Sequence, residues 1–404
     1  MSLRFSFVIL ALGLFTAGAY AEKQPSPGEQ LKAVQKDVAD AEAAYRAAYK
    51  AKAPDPLGND PELGKLRQVF RQKQRAGFDA AIAIARADPK SVVGFNALEW
   101  VLLNTSSYDL PVGTVAFSLL TEHHAVNPKI GKAVALLAYY NLPYDFSNFK
   151  KGDDPITIPF SPQAVALLKA VSEQNPDRTA RGHAVYGLAG IAMDEFKKAE
   201  SRRKANTEKL ALAAEREFDT VIKDYGDCAY FRAWGAASAK PTLGDNAKSD
   251  LYELRNLRIG KHAPDIEGED LSGAKFKLSD YRGNVILLVF WASWCGPCMA
   301  DVPHERELVE RFKGRPFVLV GVNGDEKKEN AQNVVQTKQI PWRSFYQKDG
   351  PSGLIVTAWN VRAWPTVYVI DHKGVISDKY LQHEKLDDPL EKLVTEAETV
   401  GKAK

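Results

Sequence analysis

The sequence predicts two domains: an irregular helical array, followed by an α/β sandwich built on a central sheet. Three observations carry that expectation. From Gln30 to about Tyr225, apolar residues recur every three or four positions, the period of a helix with one buried stripe. After about Arg258 the pattern changes to short β-rich apolar runs alternating with helical stretches, the grammar of a layered α/β domain. Between them, Lys240-Pro241-Thr242-Leu243-Gly244-Asp245-Asn246 is small and polar and reads as a linker. The expected division is a leader over 1–21, a helical region over 22–240, a linker over 241–258 and the α/β domain over 259–404.

At 404 residues, with 45% apolar and 26% charged residues, the chain is an ordinary globular one. A collagen-like, largely disordered or multi-spanning membrane protein is excluded. The formal net charge of +3 argues against nucleic acid as the main partner, because binding a duplex requires a basic surface.

The N-terminus reads as an address. Arg4 precedes an apolar run from Phe5 to Ala17, and Ala19-Tyr20-Ala21 supplies small residues for cleavage after Ala21, the pattern of a secretory signal peptide. The run is shorter than the ~20 residues a spanning helix needs. The alternative is an uncleaved N-terminal anchor. Either places the chain outside the cytoplasm, periplasmic or secreted, where a dithiol needs a reductant to stay reduced.

In the helical region, Leu31, Val34, Val38, Ala41, Tyr45 and Ala48 form one stripe, stopped by Pro54-Asp55-Pro56-Leu57-Gly58-Asn59. A second helix is expected from Pro61 to Ala87, where Asp88-Pro89 ends it. Shorter helices follow near 91–103, 112–126 and 129–140, and Val134 to Tyr140 is apolar enough to be interior. Residues 141–162 read as a long irregular connection. Two more helices, near 178–199 and 207–225, read as an antiparallel pair; the second puts Ala214, Phe218, Val221, Ile222 and Tyr225 on one face. Its end, Glu217 to Asp227, resembles a tetratricopeptide-type helix, but no fixed period runs through the region. Such an array can dock a partner protein or merely pack its own core.

In the α/β domain, Val285 to Trp291 and Phe317 to Val322 are continuous apolar runs, as expected of strands buried on both faces. Thr366 to Asp371 is a third strand, and Val375-Ile376 a short fourth after the turn at His372-Lys373-Gly374. Helices are expected near 296–313, 326–339 and 352–360. Asp325, in Asn323-Gly324-Asp325, reads as the cap of the second of these.

Of three cysteines, two stand in Trp294-Cys295-Gly296-Pro297-Cys298, where the first strand hands over to a helix. Cysteines at i and i+3 there can face each other closely enough to bond. The first lies beside the helix's unsatisfied N–H groups, which favours its thiolate and makes Cys295 the nucleophile. Cys298, one turn inside, would then break the mixed disulfide. A half zinc site lacks a second CxxC pair, His304 being the only further ligand nearby, so no metal is expected. A purely structural disulfide remains open. Cys228 follows a helix end and reads as a buried thiol or as one end of an inter-chain bridge.

The stretch from about Gly260 to Lys392 resembles the thioredoxin-fold domain of the TlpA/ResA-like thiol–disulfide oxidoreductases. The matching pieces are Ala263-Pro264-Asp265-Ile266, Lys277 to Gly283, Phe290 to Cys298, Trp364-Pro365-Thr366 and Ile370-Asp371…Gly374. The resemblance implies a mixed sheet flanked by helices and a redox-active Cys295–Cys298 pair with no other cofactor. It implies a cis-proline loop at Pro365 whose neighbours hold an incoming peptide, so Trp294, Trp364 and Thr366 are the expected substrate-binding residues. Trp364 is bulkier than the family's usual residue before the proline. Val289 occupies the strand position where thioredoxin carries a buried carboxylate, and Asp301, three beyond the second cysteine, is the expected substitute for deprotonating Cys298. Its bland alternative is a place on the exposed helix face. The implied partners are a disulfide-bearing protein substrate and a membrane thiol carrier as electron donor. The rival class is an interaction protein whose helices do the work while the dithiol is a sensor or a lock.

Overall fold

The computed structural model describes residues 25–52, 60–105, 110–139, 160–231, 242–381 and 383–402. The expected leader, residues 1–21, and most of the expected connection over 141–162 lie outside them. The chain divides into two compact units between Ala97 and Leu98. No helix among the described residues is long and apolar enough to cross a membrane.

The first unit holds α1 (Pro27–Lys52) and α2 (Pro61–Ala87). Ser26 and Glu29 close the start of α1 as a capping box, the Ser26 N–H donating to Glu29 Oε2 at 2.7 Å. Asp60 caps α2 by accepting from the amides of Glu62 and Leu63, and Pro61 takes the first turn as expected. Leu31 and Val38 of the predicted stripe are buried, and Tyr45 stacks on Phe70 of α2 with ring centres 6.4 Å apart.

Helix α3 (Val92–Asn104) leads on to α4 (Leu110–His124), α5 (Gly131–Tyr139), α6 (Pro162–Gln174), α7 (Arg178–Ser201), α8 (Thr207–Tyr225) and α9 (Leu243–Asn256). Val134 and its neighbours are interior, as expected. Helices α7, α8 and α9 share a core of Tyr186, Met193, Phe196, Phe218, Val221 and Leu251 among others. Two of these helices were not expected. Helix α6 follows a stretch crowded with prolines, which masks the spacing of Ala164, Leu167, Leu168 and Val171 on its buried face.

The linker expected over 241–258 is in fact mostly α9. Thr242 caps it, its hydroxyl accepting from the Asp245 amide at 3.1 Å. Leu243, Ala247, Leu251 and Leu254 are buried on one face. The small polar start that reads as a turn is a packing requirement: a Cβ on Gly244 would stand 2.6 Å from the Gly226 carbonyl oxygen.

The C-terminal fold is the expected mixed sheet flanked by helices. Its strands are β1 (Glu267–Asp270), β2 (Lys275–Lys277), β3 (Val285–Trp291), β4 (Phe317–Asn323), β5 (Arg343–Tyr346), β6 (Thr366–Ile370) and β7 (Ile376–Lys379), in the order β2-β1-β5-β4-β3-β6-β7. Strands β3, β4 and β5 are parallel neighbours; β6 runs antiparallel to β3 and β7 to β6. All seven residues of β3 are buried, so alternate side chains feed two cores. Leu287, Val289 and Trp291 pack with residues of α10 (Gly296–Arg311) and α13 (Asp387–Lys402). Ile286, Leu288 and Phe290 pack on the other face with Tyr368 and with Val356 of α12 (Leu354–Ala358). Helix α11 (Lys328–Thr337) follows β4.

Candidate active site

Strand register assembles the site. Trp291, the last residue of β3, pairs with Asn323, the last of β4, and Phe290 pairs with Thr366, the first of β6. Three connections therefore leave the sheet at one end: 292–295 after β3, 324–325 after β4, and 363–365 before β6. Sequence distance hides that neighbourhood; pairing creates it.

The first connection carries the dithiol. Cys295 and Cys298 are joined as a disulfide with their Cα atoms 5.3 Å apart. Cys295 is the N-cap of α10, and its Sγ accepts from the Cys298 amide at 3.1 Å. Gly296 and Pro297 occupy the first turn, where the proline's missing N–H costs nothing. An anionic sulfur here would face the positive end of the helix. Cys295 is 4% and Cys298 3% exposed, while Trp294 beside them is 54% exposed.

The third connection carries the proline. The Trp364–Pro365 peptide is cis. The Trp364 indole meets that of Trp294 edge to face, centroids 5.5 Å apart, so the two expected substrate-side tryptophans come together. Behind Trp364 lies Gly324, where a Cβ would stand 2.2 Å from the ring. Thr366 is only 4% exposed, and its hydroxyl donates to the Ala363 carbonyl at 2.8 Å. It closes the proline loop from inside.

Asp325 does not cap α11, which begins later, at Lys328. It is fully buried and accepts from the Ser293 amide at 2.9 Å, the Ser293 hydroxyl at 2.5 Å and the Asn323 side-chain amide at 2.7 Å. This carboxylate ties the second connection to the first. The turn-like Asn-Gly-Asp motif concealed it, since nothing local shows that the side chain points across to another strand end.

Asp301 lies on the buried face of α10 with Cys298, Val302 and Glu305, not on the exposed one. Burial raises its pKa, against the opposite pull of His383 and His304. His383 Nδ1 stands 2.8 Å from its Oδ1. Glu305, one turn further in, was not anticipated. Burial, then repulsion from Asp301, pushes its pKa up to about 8. Its i, i+4 spacing from Asp301 was the available signal. Trp291, by contrast, is core, its Nε1 donating to Ser344 Oγ at 3.1 Å. Cys228 is buried and forms no disulfide within the described residues, and Arg178 Nη1 donates to its sulfur at 3.4 Å.

The AhpC/TSA family model matches residues 259–379. The thioredoxin-like protein YneN of Bacillus subtilis is 33% identical over 125 residues, 30% of this chain and 71% of that one. The thiol-disulfide oxidoreductase ResA of Geobacillus kaustophilus is 30% identical over 124 residues, 31% of this chain and 70% of its own. The chain belongs to the ResA-like thiol–disulfide oxidoreductases. Its ResA-like domain is the thioredoxin fold of the C-terminal third. Among solved structures, the thioredoxin domain of a thiol-disulfide oxidoreductase from Bacteroides vulgatus is 26% identical and covers 34% of this chain and 99% of that one, at a TM-score of 0.33.

Proposed function

We propose that this protein works outside the cytoplasm and reduces disulfides of partner proteins through Cys295 and Cys298. The reading is carried by a disulfide at a helix N-terminus on the same sheet end as the cis-proline loop. In the reduced chain the Cys295 thiolate attacks one sulfur of the partner disulfide. A new S–S bond forms, and the partner's second sulfur leaves with the displaced electron pair and takes a proton. Cys298 then gives its proton to the Asp301 carboxylate and attacks Cys295. The partner's first sulfur departs as a thiol, two electrons have passed to the partner, and the chain is left oxidised. Backbone next to Pro365 holds the partner as an added strand, with Trp294 and Trp364 as the apolar wall.

The Gly-Pro pair between the cysteines resembles that of reducing thioredoxins, which supports reduction over oxidation. A membrane thiol carrier would restore the dithiol, and the signal-like N-terminus supports that location. The test is reduction of a disulfide-bonded protein such as insulin by the full-length chain. Wild type should turn over with a chemical reductant. Cys295→Ser and Cys298→Ser should both be inactive, the second accumulating a mixed disulfide visible by mass. A folded wild-type chain that leaves the protein disulfide intact would overturn the proposal.

A further inference from the structure

Behind the cis-proline loop, on the sheet face away from α10, the loop is held by helix α9. Two carboxylates one turn apart on that helix, Asp250 and Glu253, are 6% and 3% exposed. Asp250 Oδ1 lies 2.7 Å from Arg362 Nη2, and its Oδ2 accepts from the Tyr186 hydroxyl of α7, also at 2.7 Å. Arg362 Nη1 in turn donates to the Tyr186 oxygen at 3.3 Å. Asn360, whose φ of 48° is left-handed, donates to Glu253 Oε2 at 2.8 Å and to Asp250 at 3.2 Å. Glu253 also meets Lys197 of α7 at 2.7 Å and accepts from Tyr380 at 3.0 Å. A cavity of about 300 Å³ remains among these groups, reaching Ala363 and Thr366.

This network serves neither the dithiol nor the bare thioredoxin fold, since half its members lie on α7 and α9. It fixes residues 360–362 and so the approach to Trp364 and Pro365. Arg362 meets Asp250 through Nη2 and Tyr186 through Nη1, and two partners on one planar group set an orientation as well as a position. We propose that Arg362 is a positioning residue through which Asp250 of α9 sets the cis-proline loop for binding the partner peptide. The helical region is then part of the substrate-recognition apparatus. The proposal rests on the reading that this loop holds the partner.

The test uses the full-length chain with two oxidants, a disulfide-bonded protein and the small aromatic disulfide DTNB, which needs no strand-like docking. Arg362→Gln changes a side chain that is 43% exposed and leaves Asp250 the hydrogen bonds from Tyr186 and Asn360. An unfolding midpoint measured beside the kinetics separates any loss of fold from loss of positioning. The variant should raise KM for the protein about tenfold, the scale of a slightly misplaced binding element, and leave kcat and the DTNB rate unchanged. Asp250→Asn should do the same, the double variant should be no worse than either single one, and Arg362→Lys should recover part of the loss. Unchanged protein KM in Arg362→Gln, or equal slowing with both oxidants, would overturn the proposal while leaving the dithiol chemistry standing. A wild-type chain inert towards both oxidants would remove the oxidoreductase reading, and this proposal with it.

Discussion

Ser293 and Asp325 are joined twice: the serine amide and hydroxyl both donate to one buried carboxylate, at 2.9 and 2.5 Å. The residue two before Cys295 is thereby fixed to the end of the neighbouring strand. Asp325→Ala leaves the buried Asn323 donor and the half-buried Ser293 donors without their acceptor. We expect a loss of about 2–4 kcal/mol in denaturant unfolding and a lower turnover in disulfide reduction. Wild-type values for both would show that the pairing is dispensable.

Gly324 admits the Trp364 ring against the backbone. Gly324→Ala must push the indole outward or move the strand end, at a cost of about 1–3 kcal/mol. Because Trp364 rests on Trp294, the change should be visible as altered tryptophan fluorescence together with weaker protein binding. An unaltered spectrum would mean the loop absorbs the added methyl elsewhere.

Glu305 carries a pH dependence whose sign follows from its environment. Burial and then Asp301 push its pKa up to about 8, above the unfolded carboxylate value. The folded state therefore holds the proton more tightly than the unfolded one. Its contribution is complete below the ordinary carboxylate range and disappears as pH climbs towards 8. Unfolding measured in urea should show stability falling by roughly 2–4 kcal/mol between about pH 5 and 8. Glu305→Gln should flatten that slope. Parallel profiles for the two proteins would refute the assignment.

Glu253 behaves in the opposite sense. Burial opposes its ionisation, but Lys197 and Lys379 outweigh that and hold its carboxyl well below the usual range. Its contribution is present above the ordinary carboxylate pKa and is lost on acidification below it. Glu253→Gln leaves Lys379, whose side chain is 3% exposed, without its counter-charge. A loss of about 3–5 kcal/mol is expected at neutral pH, read from the thermal or denaturant midpoint. A change under 1 kcal/mol would place the charges in a wetter setting than their burial implies.

The legible parts of this molecule were those written in local pattern. The seven-residue run of β3, the span Pro61–Ala87 and the Cys295–Cys298 pair at a helix start each announce themselves within a few positions. What stayed hidden depends on partners far away in sequence. Asp325 reads as a cap until β3 and β4 are paired, and Glu305 draws no notice until α10 is laid on the sheet. Helix α9 looks like a break because its apolar stripe is thin and its first turn is small. Only contact with Gly226 and α8 explains that turn.

The family match begins at residue 259, immediately after α9. A protein engineer cutting there would keep every recognisable motif and discard Asp250 and Glu253. Asn360, Arg362 and Lys379 would then greet solvent with no acid to meet them. Transplanting the catalytic third onto another carrier should thus succeed only if the graft starts upstream of α7, near Asp177, and brings α7, α8 and α9 with it. Over generations, substitutions at 250, 253, 360 and 362 are expected to travel as a set.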